Sequence, residues 1–431
     1  MSQQPERAQT RAGLARLTRA VALISLVIVC LSYVTNAMDR QVFPVVLPQV
    51  SKDLGFDLAQ GGLLATIFTL GIGIAGVPTG FLLDRLSRKA VLLIGIAVYS
   101  AFTVLTAMGV GFFDMFAYRA LSGVGEAMQN AALFSAVGAY FFANRALAIG
   151  SLNFAYGVGG FLGPVLGAHL AVSFGEWRVP FYVFGAIGFA FVLIIAFVVK
   201  KRFTEQVELA DPGANEVGVV EAVPHRFLNR NVLLLGLTAV VVGIAMYGFI
   251  GLYPTFLQEQ LHFSLSDAGT IASMFGLGAM MGLPAGYLMD RLNVRYVLIV
   301  SLLVGSVVGF LIFNGPTSIG WQYVLSFAEG AVASGFCFVG VYTGLQRSVR
   351  PELIGRASGF YVTCFYVPAS VAGYIFSSLV GSVGWGGAGV WQLTVLPLVG
   401  VVALLFVKTK QFTRVRPARK LTTETTQGAA T

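Results

Sequence analysis

Gly76-Val77-Pro78-Thr79-Gly80-Phe81-Leu82-Leu83-Asp84-Arg85-Leu86 returns 206 residues later as Gly282-Leu283-Pro284-Ala285-Gly286-Tyr287-Leu288-Met289-Asp290-Arg291-Leu292, with seven of the eleven positions identical. Self-similarity at this distance means one structural unit used twice. Each copy closes an apolar run, and a looser echo pairs Arg145-Ala146 with Arg356-Ala357.

The composition says what surrounds these runs. Charged residues make up 11% of the chain and hydrophobic ones 56%, against about 25% charged in soluble domains. An apolar helix needs about 20 residues to cross a hydrocarbon core of about 30 Å. On that measure twelve spans are expected, near 21–48, 61–83, 90–111, 113–142, 146–173, 178–199, 231–260, 268–289, 296–313, 319–346, 354–381 and 388–407. A closed barrel would instead show alternating ten-residue segments, so the expected class is an all-α membrane protein of twelve transmembrane helices in two six-helix pseudo-repeats. The 52 glycines suit close helix contact in lipid. The division reads as a tail (1–20), a first half (21–199), a central loop (200–230), a second half (231–407) and a tail (408–431).

Of 28 Lys and Arg, 24 fall in the two tails and in the segments that share their side. That asymmetry predicts both termini in the cytoplasm, in the cytoplasmic inner membrane. Arg7, Arg11, Arg16 and Arg19 precede the first span with no small-residue cleavage site, so they read as a retained tail and not a signal peptide. The net charge of +9 follows from the same asymmetry. Nucleic acid is not expected as a partner, because no soluble module offers a basic face with interleaved aromatics. The expected partners are the bilayer, a small-molecule substrate and protons, and the chain is expected to be monomeric.

Within the spans charge is rare. From Val21 to Leu47 only Asp39 and Arg40 are charged, in Asn36-Ala37-Met38-Asp39-Arg40. A charge at the bilayer centre costs a few kcal/mol or more and marks a substrate or ion path, facing the bundle interior. Arg119 and Glu126 add a second acid and base in the fourth span, seven residues apart and so on one helix face. Asp39 and Arg40 diverge by about 100° on a helix and need partners on other spans. Asp39 with Arg119 and Arg40 with Glu126, or the reverse, are the candidate pairs.

Gly80-Phe-Leu-Leu-Asp84-Arg85-Leu-Ser-Arg88-Lys89 resembles the signature loop of the major facilitator superfamily, and twelve spans, central loop and repeat agree over nearly the whole chain. The resemblance implies a secondary transporter working by alternating access, with Gly80, Asp84, Arg85, Arg88, Gly286, Asp290 and Arg291 as a cytoplasmic latch. Gly80 would let helices approach closely, and Asp84 would accept N–H bonds at a neighbouring helix N-terminus. Within the superfamily, Asp39-Arg40 and Arg119-Ala-Leu-Ser-Gly123-Val-Gly125-Glu126-Ala127 are similar to segments of both the anion:cation symporters and the Spinster-like lipid transporters. Leu252-Tyr253-Pro254-Thr255-Phe256-Leu257 is partly similar to the Trp-Leu-Pro-x-Tyr-Leu stretch of the anion symporters. Asn36-Ala-Met-Asp-Arg is as close to the Spinster pattern.

Two acids and two bases leave the site neutral, so an added anion would lack compensation. Burial and a neighbouring Arg act oppositely on a carboxyl; Asp39 or Glu126 is therefore the expected proton-coupling site. Protonation would free Arg40 or Arg119 to hold a carboxylate in two-pronged geometry. The leading reading is proton-coupled symport of a small organic anion. The alternative is Spinster-like transport of lysolipids or amphipathic compounds, or drug or metabolite efflux. Candidate substrate contacts are Arg40, Arg119, Asn36, Gln129, Asn130, Asn153, Tyr156, Tyr247, Glu329 and Tyr361. Substrate identity, import against export, and proton against sodium stay open.

Enzyme chemistry is not expected. No Gly-Lys pair offers a phosphate loop, every Lys lies in a tail or loop, and His169, His225 and His262 are scattered without metal-ligand spacing. Cys30, Cys337 and Cys364 lie in apolar runs and read as packing residues. No cofactor or metal is expected.

Overall fold

The computed structural model describes residues 17–141, 145–205, 223–350 and 353–412. The tails and most of the 200–230 loop lie outside the described residues, as do the side chains of Arg145 and Asp290.

The chain is a bundle of twelve membrane-spanning helices. Among the described residues, ten helices are long and apolar enough to cross a membrane. One of them, Ile354–Leu405, is two spans joined at Gly384, whose φ of +73° turns the chain. The fourth span, Phe112–Tyr140, which carries Asp114, Arg119 and Glu126, completes the set. The twelfth span therefore starts beside Gly384, a few residues before the expected 388. The first span runs Arg19–Leu54, past Pro44 and Pro48, and stops at Gly55 in the left-handed region (φ +71°). Large apolar side chains such as Phe113, Leu193 and Phe197 point outward, as a lipid solvent requires.

Two spans are interrupted where they meet the other half, and the tenth is interrupted within its own half. The second span breaks at Ile67 between Leu58–Thr66 and Phe68–Arg85. The eighth breaks between Leu265–Ala279 and Gly282–Arg291. In the tenth, Ile319–Glu329 passes into a π-helical stretch, Gly330–Phe338, before Val339–Arg347.

The halves pack through the second span on the eleventh and the fifth on the eighth. Contact is tightest on the side away from the basic loops. A Cβ on Gly62 would meet the Gly373 carbonyl oxygen at 2.5 Å. Thr66 Oγ1 donates to Ser370 O at 2.8 Å across the same seam. Gln258 Nε2 donates to Val45 O (2.8 Å), and Gln49 Nε2 to Gln258 Oε1 (2.8 Å). A cavity of about 10 Å³ lies among the first, fifth, seventh and eighth spans, lined by residues such as Gln41, Pro44, Pro164 and Phe275. That is space for a single water at most.

On the basic side the halves part. A Cβ on Gly80 or on Gly286 would meet nothing within 4 Å, and Asp84 and Arg85 are exposed. The close approach expected at Gly80 is not seen in this structure, where its face meets no atom within 4 Å of a Cβ. Arg88 donates to Thr204 O (3.3 Å), and Arg291 lies over the Tyr287 ring at 4.3 Å.

Gly62→Val is expected to hold the tight side open, because the carbonyl it strikes is backbone and cannot rotate away. Thiol labelling of a cysteine placed at Gln49 or Gln258 measures this. Labelling should rise several-fold over the same cysteine in a Gly62 background.

Candidate functional site

The first span brings a polar face to mid-height while its other face is committed to packing. Gly159 and Gly163 of the fifth span lie against Val34, Ala37 and Met38. That leaves Asn36 and Arg40, one helical turn apart, turned toward the fourth span. There Arg40 Nε lies 2.5 Å from Glu126 Oε2, with side chains 2% and 1% exposed. The contact is ionic and off the hydrogen-bonding direction, so both atoms lack a hydrogen-bond partner, as does Arg40 Nη2. Ser122 Oγ donates to Glu126 Oε1 at 3.3 Å. Among the described residues this is the one ion pair at mid-height of the bundle.

Asp39, on the adjacent face, accepts from Thr103 Oγ1 (2.8 Å). Arg119 is turned elsewhere. Its Nε donates to Leu64 O at 2.5 Å and its Nη2 reaches Ala65 O at 3.5 Å, beside the break at Ile67. Its guanidinium lies over Phe43 at 4.0 Å and Phe68 at 5.4 Å. Of the candidate pairs, Arg40 with Glu126 forms as a contact, while Asp39 accepts from a hydroxyl and feels the Arg119 charge at longer range. Arg119 shares a helix face with Glu126, but its guanidinium is taken up by the carbonyls at the break in the second span.

One turn toward the basic side, Asn36 Nδ2 donates to Gln129 Oε1 (2.9 Å), and Gln129 Nε2 donates to Ser32 O (3.3 Å). Asn130 is half-buried and its Oδ1 has no partner. Around Arg40 stand aromatic rings from both halves. Tyr156 lies 5.8 Å away, and Tyr366 of the eleventh span is within electrostatic reach. Tyr247 packs on Phe68 (5.8 Å) and Tyr366 (6.0 Å). Arg40 is therefore where first, fourth, fifth, seventh and eleventh spans converge.

Three candidates lie elsewhere. Tyr361 donates to Phe338 O (3.0 Å) and stacks on Phe365 within the second half. Glu329 is 5% exposed and faces a cavity of about 30 Å³ among the seventh, ninth, tenth and twelfth spans, lined by residues such as Val242, Leu302 and Cys337. It faces this cavity inside the second half and not the wall it was expected to line. Asn153 is exposed on the face of Gly150 and Gly157, which look toward Leu283 and Met280. Sequence reading missed Thr103, Ser122 and Thr66. Ser122 had a signal, lying four residues before Glu126; a threonine within an apolar span carries none.

A twelve-span bundle with a buried acid–base pair where two halves meet is the architecture of a membrane transporter. The chain belongs to the major facilitator superfamily, whose family model matches residues 29–373. It is 27% identical over 260 residues to a hexuronate transporter of Bacillus subtilis, a match covering 59% of this chain and 61% of that one, under two thirds of its length. It is 24% identical over 409 residues to a probable sulfoacetate transporter of Cupriavidus necator, covering 88% and 92%. In fold it is similar to the inward-facing, unoccupied structure of a bacterial homolog to the human lysosomal transporter Spinster, with a TM-score of 0.71, 21% identity and coverage of 93% and 100%.

Proposed function

We propose that this transporter carries a small organic carboxylate together with a proton, by alternating access of two six-helix halves (21–199 and 231–407). The observation that carries the reading is the Arg40–Glu126 pair, buried between the halves with Arg40 Nη2 unpartnered. A charge pair with an unused donor is a poor anion site while Glu126 is ionised. A proton on Glu126 cancels the negative charge and releases the guanidinium for a carboxylate, for which its planar fork is suited. Glu126 is preferred to Asp39 because Asp39 is hydrogen-bonded to Thr103 while Glu126 is the direct counter-ion of Arg40. The named substrates of the two relatives, hexuronate and sulfoacetate, both carry a carboxylate.

Tightness on one side and parting on the basic side support a state open toward the basic face. The basic asymmetry of the sequence supports placing that face, and both termini, in the cytoplasm of an inner-membrane protein. The protein is taken to work as a monomer.

Purified protein in liposomes with an internal pH dye tests the reading. Acidification of the lumen is expected when one of a panel of small carboxylates is added outside, and none when sodium replaces the pH gradient as driving ion. Absence of proton movement with every acid, alongside saturable flux of a lysolipid, overturns it.

A further inference from the structure

The Arg40 site leaves a buried acceptor open as well as a donor. Ser32 Oγ donates to Val29 O (2.8 Å), so toward Gln129 it acts only as an acceptor, as does Ser32 O. Gln129 must therefore turn its NH2 to Ser32 and its oxygen to Asn36. Asn36 in turn must give its NH2 to Gln129, with the N···O distance at 2.9 Å. The carbonyl Oδ1 of Asn36 is left over, in a side chain with no exposure and no partner. The amide orientation thus follows from a main-chain carbonyl through two links, independent of any choice made at Asn36 itself.

A buried acceptor left unmade is destabilising, and an unmade charged donor more so. Asn36 Oδ1 and Arg40 Nη2 are both orphaned, on one face of one helix, one turn apart. On the facing helix Asn130 Oδ1, one turn from Glu126, is a third unpartnered atom and a second acceptor. An anion that only accepts hydrogen bonds would satisfy Arg40 and leave the amide oxygens bare. A ligand that joins a carboxylate to a hydroxyl satisfies both kinds.

We infer that the substrate is a hydroxylated carboxylate, with a hydroxyl close to the acid carbon donating to Asn36 Oδ1 while the carboxylate is held by Arg40. The inference rests on the carboxylate reading above and goes beyond it by making Asn36 a specificity-determining residue. A site built to hydrogen-bond a hydroxyl rejects the analogue lacking it, because its own polar atom is then left unpaired.

The test uses matched acids that differ by one hydroxyl next to the carboxyl: lactate and propionate, malate and succinate, mandelate and phenylacetate. Protein-dependent initial uptake into proteoliposomes is measured for each. Wild type is expected to half-saturate at about tenfold lower concentration for the hydroxylated member of a transported pair, the discrimination of one hydrogen bond to a buried partner. Asn36→Leu should remove that preference, raising the half-saturation concentration of the hydroxy acid about tenfold relative to that of its partner acid. Asn36→Ala serves the same purpose if the leucine variant does not purify as a monodisperse protein. Equal handling of both members by wild type overturns the inference, with water then the occupant of the two orphaned atoms, and leaves the carboxylate reading standing. A preference that survives in the Asn36 variants overturns the role of Asn36. Uptake of none of the six acids overturns both readings.

Discussion

Glu126→Gln is expected to abolish accumulation driven by a pH gradient while leaving exchange of substrate across the membrane intact. Gln keeps the shape of the protonated acid and cannot release a proton, so Arg40 stays free to bind the anion and binding no longer depends on pH. An imposed gradient of about one pH unit corresponds to about 1.4 kcal/mol per proton. Wild type should therefore concentrate a monoanion about tenfold over the outside, and the variant not at all. Counterflow, in which labelled substrate exchanges for unlabelled, should persist at a rate within about threefold of wild type, since no net proton transfer is needed. Loss of both activities would mean that Glu126 does no more than hold the first and fourth spans together. Retention of both would move the coupling site to Asp39.

Arg40→Met is expected to lose transport and to destabilise the protein by about 3–5 kcal/mol, the cost of leaving one member of a buried ion pair alone. The single change strands Glu126, whose remaining contact is Ser122 Oγ at 3.3 Å. Arg40→Met with Glu126→Gln should recover most of that stability and none of the transport. Unfolding in detergent, read as a double-mutant cycle, separates the two roles. A single variant as stable as wild type would show that the pair is open to water in solution. A double variant that still takes up carboxylate would remove Arg40 from the substrate site.

These expectations depend on contacts that differ in how visible they are in the chain. The twelve spans followed from apolar length, and the rarity of charge made Asp39, Arg40, Arg119 and Glu126 conspicuous, because the bilayer penalises each of them. Their pairing was less legible. Adjacent residues on a helix diverge and residues seven apart align, which left two assignments possible. The choice was made by the broken second span, whose carbonyls at Leu64 and Ala65 take the Arg119 guanidinium. Glu329 shows the same limit: a lone acid in an apolar run announces itself, but the packing of the seventh, ninth, tenth and twelfth spans sets what it faces.

From the sequence alone came the class, the number of spans, the repeat and the short roster of charged residues, because these depend on the solvent and on local periodicity. The tertiary structure decided which acid meets which base. It decided that Tyr361 and Glu329 sit away from Arg40, and that Asn36 keeps an acceptor free. Each depends on helix breaks and on the rotation of one span against another, and those are set by packing between segments far apart in the chain. Gly62 against Gly373 and Gly163 against Met38 are such contacts, and neither partner's local sequence names the other.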